Sequence, residues 1–177
     1  MIGPYDTPFA FRMALEERLR NISRQQDVDL PRLQRRVALE RLLARLFAEA
    51  EPPRLLKGGY ALEVHLAYQA RSTRDLDLSV PEPGRLHLPS EAGISQERAD
   101  KLHECPQVAA ERDLGNAFRF LIRAPRSELT GAPGGGVRCG VEARLAGRIF
   151  AQFHVDVGLG NLMLGEPAWV EGAPLLN

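Results

Sequence analysis

The chain has 177 residues, the length of one ordinary domain, with 44% apolar and 26% charged residues. Lys plus Arg and Asp plus Glu each total 23, a balance that excludes a general nucleic-acid coat protein and leaves room only for a local basic patch. No apolar run approaches the ~20 residues of a membrane span. The start Met1-Ile2-Gly3-Pro4-Tyr5-Asp6 also lacks the basic-then-apolar layout of a secretory signal, so a cytoplasmic protein without a membrane partner is expected.

The first predicted helix runs from about Phe9 to Gln26, because Phe11, Leu15 and Leu19 recur at spacing four with charges between them. Asp27 to Pro31 breaks it. Asp29 is placed to cap a second helix that carries Pro31 in its first turn and runs to about Ala50. Leu33, Val37, Leu42, Leu43, Leu46 and Phe47 form its apolar stripe. Arg32, Arg35, Arg36, Arg41 and Arg45 lie mostly off that stripe and read as a solvated face, with contact to RNA or phosphate as the sharper alternative. Pro52-Pro53 ends the helix. Arg54 to Leu56 is a short strand entering Lys57-Gly58-Gly59, and Tyr60 to Tyr68 is a helix with Ala61, Leu62, His65 and Leu66 near one face.

Residues 75–80, Asp-Leu-Asp-Leu-Ser-Val, alternate as a strand does. A loop over Pro81 to Pro89 leads to a helix expected from about Ser95, its cap, to Glu111. Ala117 to Ala124 is a strand, Thr130 to Gly136 a glycine-rich turn, and Val137–Ala143 with Arg148–Val157 a hairpin turning at Ala146-Gly147. Cys105 and Cys139 match no zinc spacing and read as reduced thiols. The order predicts an α+β (α/β) domain, a sheet flanked by helices behind an N-terminal helical pair. Residues 1–50 are assigned to a helical segment packing on a core formed by 51–177.

The chemistry centres on Asp75-Leu76-Asp77. On a strand, residues i and i+2 share a side, so both carboxylates project together, while Leu76, but not Leu78, is expected to face a core. Paired carboxylates repel unless a cation lies between them, and oxygen ligands of this kind suit Mg²⁺ or Mn²⁺. Taken alone the pair reads as two solvated acids. Asp156 adds to it: in Phe153-His154-Val155-Asp156-Val157 the valines point one way and His154 and Asp156 the other. Three strand carboxylates can clamp metal for phosphoryl or nucleotidyl transfer, and Asp156 is expected to approach the other two. Gly58-Gly59, between strand and helix, lets backbone amides approach a phosphate, or is simply a tight turn. No Walker or Rossmann string is present.

These pieces resemble a known family. Leu56-Lys57-Gly58-Gly59-Tyr60-Ala61-Leu62 with Arg71-Ser72-Thr73-Arg74-Asp75-Leu76-Asp77-Leu78 is similar to the signature of the AbiEii/AbiGii-type nucleotidyltransferases, the toxin half of bacterial toxin–antitoxin and phage-defence pairs. Val141 to Arg148 and His154 to Gly158 are similar to it too, so the resemblance covers roughly 28 to 165. It implies a nucleotidyltransferase-like mixed sheet of the polymerase-β type. It implies Mg²⁺- or Mn²⁺-dependent transfer of a nucleoside monophosphate from a nucleoside triphosphate to a tRNA or protein acceptor, and a cognate antitoxin.

Asp75, Asp77 and Asp156 would then be the metal ligands and catalytic acids, with Asp156 expected to take the proton of the attacking hydroxyl. Lys57, Gly58, Gly59, Arg71, Thr73 and Arg74 would hold the nucleotide. For Arg71 and Arg74, contact with phosphate and pairing with the acids both stand open, and Thr73 is expected to support the acids by a hydrogen bond. His65 reads as packing on its helix rather than as a ligand. Family members continue into a helical region with an Ala-Glu-Lys string and a later Arg…Asp-x-x-Asp string. This chain stops at Leu175-Leu176-Asn177, so that region and its lysine are expected to be absent. The alternative to an enzyme is a nucleotide-binding module of the same fold, inactive and acting through a partner.

Overall fold

A computed structural model describes residues 4–66, 73–88, 93–129, 131–160, 165–170, 172 and 174–176. Helix α1 spans Pro8–Gln26, capped by Thr7, whose hydroxyl accepts the Ala10 amide at 3.1 Å. Helix α2 spans Leu30–Leu46. Asp29 sits at its N-cap with the main-chain carbonyl, not the side chain, taking the first amides, at 3.0 and 3.2 Å. Strand β1 (Leu55–Lys57) runs directly into helix α3 (Gly58–His65). Strand β2 (Asp75–Val80), helix α4 (Gln96–Ala110), β3 (Phe118–Ile122), the short β4 (Ser127–Glu128), β5 (Gly136–Leu145) and β6 (Arg148–Leu159) complete the order. Ser95 caps α4 by accepting the Arg98 amide at 3.4 Å.

The strands form one mixed sheet in the order β1-β2-β6-β5-β3, with β4 pairing β5. β2 and β6 are parallel and every other pair is antiparallel. This is the predicted α+β architecture, consistent with a nucleotidyltransferase-like fold. Alternation along each strand sends Leu76, Leu78, Val155, Val157, Cys139, Val141 and Phe120 to one face. There they share a buried cluster with Leu15 and Leu19 of α1, Leu33, Val37, Leu42 and Leu46 of α2, and Leu102 of α4. Full burial of such a side chain contributes about 1.5–3 kcal/mol. The helices therefore cover one face and leave the other for polar groups. Both cysteines are free, and burial pushes the Cys139 thiol up to about 11, with the Asp156 charge adding to the shift. Among the described residues no helix is long and apolar enough to cross a membrane.

Several sequence expectations change here. Leu78 is as buried as Leu76, at 1% and 0% exposure, because a period of two puts both on the core side. Helix α2 ends at Leu46 rather than near Ala50. The buried Arg54 guanidinium donates to the Leu46 carbonyl at 2.8 Å and closes the helix there. The arginines of α2 are not one solvated face. Arg32 is exposed, Arg35, Arg36 and Arg41 are half-buried, and Arg45 is buried. Arg45 donates to the Arg41 carbonyl, to Asn116 Oδ1 and to the Phe118 carbonyl at 2.8, 2.7 and 3.0 Å, and lies over the Phe120 ring. Those acceptors satisfy the buried cation that helical spacing alone assigned to water. In α3 the face bearing Leu62, His65 and Leu66 is exposed, and Tyr60 and Glu63 point inward. His65 therefore lies on the exposed face of the helix.

Candidate active site

The open face of the sheet collects the acids. Alternation in β2 places Asp75 and Asp77 there. The parallel register sets Asp156 of β6 opposite Asp77 and His154 opposite Asp75, on strands about 4.8 Å apart. β1 puts Lys57 on the other side of Asp77, and β5 puts Arg138 on the far side of Asp156. A single row across the sheet thus reads Lys57, Asp77, Asp156, Arg138, two carboxylates between two cations.

The pairing inside the row is unequal. Arg138 grips Asp156 with both arms, Nε to Oδ1 at 2.8 Å and Nη2 to Oδ2 at 2.6 Å. The same Nη2 lies 3.7 Å from Asp75 Oδ2, and His154 Nδ1 lies 3.4 Å from Asp75 Oδ1. The hydrogen bond to Asp156 raises the Arg138 pKa above its already high ordinary value. Asp77 instead has its carboxyl pushed above the usual range, first by burial and then by the Asp156 charge, with Lys57 opposing. The guanidinium that serves the acids is therefore Arg138, which the motif did not announce. Arg74 is exposed and makes no ion pair among the described residues. Arg71 lies outside the described residues.

The glycines differ from each other. Gly58 has φ +68°, and a Cβ there would fall 2.1 Å from Asp77 Oδ2. Only glycine lets the chain turn from β1 into α3 while the Asp77 carboxylate rests against its Cα. A Cβ on Gly59 would meet Thr73 at 3.4 Å, an ordinary contact, so no described neighbour demands that glycine. Thr73 sits at the entrance to β2. Its hydroxyl bonds the Asp75 main chain, donating to the carbonyl at 3.3 Å and accepting from the amide at 3.4 Å. Its own amide donates to Glu63 Oε2 at 3.3 Å. Glu63, 4% exposed on α3, thereby ties the glycine turn to the strand carrying the acids. Nothing in the local sequence marked Glu63, since its role depends on a contact across the fold.

Beside the acids lies a groove of about 860 Å³ whose lining includes Asp75, His154 and five arginines, Arg35, Arg74, Arg123, Arg126 and Arg138. They come from α2, the loop before β2, the segment between β3 and β4, and β5, so only the fold assembles them. At its far end Glu142 accepts from Arg123 and from Arg144, the latter at 2.7 and 3.0 Å. These bonds, Arg123's first, hold the Glu142 carboxyl below its usual value.

The donor set of Asp75, Asp77 and Asp156 suits a hard divalent cation. Asp77 fits especially, with its charge disfavoured by burial and then by the neighbouring Asp156. Among the described residues, however, no three acid, imidazole or thiol groups converge as a metal cage, and both Asp156 oxygens are engaged by Arg138. No curated protein matches the chain. One family model does, over residues 41–171, well over half the length; it describes the nucleotidyl transferase AbiEii toxin of type IV toxin–antitoxin systems.

Proposed function

The chain belongs to the AbiEii family of nucleotidyltransferase toxins of type IV toxin–antitoxin systems, and on that premise we propose that it transfers a nucleoside monophosphate from a nucleoside triphosphate to an RNA acceptor, tRNA in particular, with Mg²⁺ or Mn²⁺. The observation that carries this reading is the row of Lys57, Asp77, Asp156 and Arg138 with Asp75 alongside. Asp75, Asp77 and Asp156 would hold the cation, which when bound supplies charge neutralisation for the phosphates. Lys57 and the Gly58-Gly59 turn adjoin Asp77 and suit the triphosphate, together with Thr73, Arg71 and Arg74. The acceptor hydroxyl forms a bond to the α-phosphorus as the bond to the bridging oxygen of the β-phosphate breaks. Pyrophosphate leaves, and Asp156 takes the hydroxyl proton. The arginine groove beside Asp75 favours a polyanionic acceptor over a protein one. The chain would act as the toxin of its pair, in phage defence, with a cognate antitoxin restraining it.

Incubation of the chain with radiolabelled nucleoside triphosphates, Mg²⁺ and total tRNA tests the proposal. Label is expected in the tRNA, and Asp75→Ala or Asp77→Ala is expected to remove it. Triphosphate binding without transfer to any tRNA, RNA or protein in a broad panel would leave a binding module in place of an enzyme.

A further inference from the structure

The carboxylate row contains its own cation, and that cation stands where metal ligation needs a free carboxylate. Arg138 takes both oxygens of Asp156 at 2.8 and 2.6 Å and reaches Asp75 at 3.7 Å, so one guanidinium spans two of the three acids. Charge-assisted, two-armed bonds of this kind are the strong ones. A hard cation bonds the same carboxylate oxygens, so ligation by Asp156 competes with the two-armed Arg138 grip for them.

The guanidinium also has somewhere to go. Its side chain is 41% exposed, whereas the Asp156 side chain it holds is only 9% exposed. Two residues along the strand, on the same face, stands Gly140, where even an added Cβ would meet nothing nearer than Arg123 Cδ at 4.0 Å. Both Arg138 and Gly140 line the arginine-rich groove. The space beside Gly140 thus adjoins Arg138 within a groove lined by four further arginines.

We propose that Arg138 is a resident counter-cation of the acidic row, exchanged off Asp156 when a divalent cation binds, so that it sets the metal affinity of the site and is freed toward the substrate phosphates. The inference rests on the metal-dependent reading above and adds its regulation: the site resists metal until the exchange is made. Arg138 is here a positioning residue, acting through Asp156.

The test is a calorimetric Mn²⁺ binding isotherm on the full chain without nucleotide, for the wild type, Arg138→Gln, Arg138→Lys and Asp77→Asn. Removing the competing cation is expected to tighten Mn²⁺ binding about tenfold, the scale of one charge-assisted hydrogen bond to a buried carboxylate. Arg138→Lys keeps the charge without the two-armed grip and is expected to tighten it about threefold. Equal or weaker binding by Arg138→Gln overturns the proposal. If Arg138→Gln does not fold, equal or weaker binding by Arg138→Lys does so. Should Mn²⁺ bind the wild type through Asp77 and these variants fail to tighten it, only the counter-cation role falls. Should no form bind Mn²⁺, the metal-dependent reading falls and takes this inference with it.

Discussion

Two acid–arginine clusters share the open face of the sheet, and they carry opposite charge balances. At one end a single carboxylate, Glu142, is held by Arg123 and Arg144, with its side chain 4% exposed. At the other end Asp75, Asp77 and Asp156 face Arg138 and Lys57. The first acid is more comfortable ionised than in water; Asp77 in the second is less so. Both set carboxylates against cationic side chains, but in the first the partners outnumber the acid, while in the second burial and then the neighbouring acids disfavour the Asp77 charge. An acid with surplus partners is a structural clasp. Acids in surplus store electrostatic repulsion that a cation can relieve, which is the state a catalytic site needs.

The largest effect that can break this contrast is expected at Asp77. Asp77→Asn is predicted to reduce transfer of labelled nucleotide to tRNA by at least about a hundredfold, the scale seen when one electrostatic group of a phosphoryl- or acyl-transfer site is lost. The same variant, melted in EDTA, is predicted to keep or raise the Tm, because it removes a charge disfavoured by burial first and by Asp156 and Asp75 next. Glu142→Gln is predicted to do the reverse, lowering the Tm while leaving Mn²⁺ binding unchanged. If Asp77→Asn lowers the Tm as Glu142→Gln does, the acidic row is a structural clasp as well.

Next comes Gly58→Ala. A side chain in the left-handed region costs about 1–2 kcal/mol, and here an added Cβ would fall 2.1 Å from Asp77 Oδ2 and drive that carboxylate from its seat. Thermal melts should show the destabilisation, and Mn²⁺ affinity should fall with it. Gly59→Ala, where the Cβ meets only Thr73 at 3.4 Å, should be nearly silent in the melt. Equal losses from the two substitutions would mean that the turn, and not the Asp77 contact, selects glycine. Thr73→Val is smaller again. It removes the hydroxyl bonds to the Asp75 main chain, worth about 0.5–1.5 kcal/mol, and should slow transfer by about two- to tenfold with the fold intact.

How far this contrast could be seen beforehand depends on whether its cause is local. The alternation of Asp75 to Val80 and of Phe153 to Val157 puts the acids on one side, and a period of two is enough to read it. The same rule, applied evenly, would have buried Leu78 with Leu76. That Asp156 lies opposite Asp77 is a matter of register between strands some 80 residues apart, which alternation cannot set; the likeness of the surrounding strings to a known family supplied the expectation. Arg138 escaped notice because a lone arginine on a strand carries no signal until the β5–β6 register sets it beside Asp156. Arg45 misled for the same reason in reverse. Helical spacing put it among solvated arginines, and its acceptors, Asn116 and the Phe118 carbonyl, lie about 70 residues downstream. Glu63 and the arginine groove likewise exist only as meetings of distant segments.

The smallest predicted effect is in pH, and the two clusters should respond with opposite sign. Glu142, ordinarily near 4.5, is held lower in the fold by Arg123 and Arg144. Its ionised form is favoured by folding, so it contributes stability above 4.5 that is lost as the pH falls through its folded value. Asp77, ordinarily near 3.8, is raised in the fold by burial first and by Asp156 next. Folding disfavours its charge, so a penalty is fully present at neutral pH and is relieved as the pH falls through its folded value toward 3.8. In EDTA, the Tm advantage of Asp77→Asn over the wild type should therefore be greatest at neutral pH and shrink on mild acidification. The Tm deficit of Glu142→Gln should persist through that same range and close only below 4.5. The difference is read as the change of each Tm gap with pH. If both gaps close over one window, the clusters share one charge environment, and the contrast between them fails.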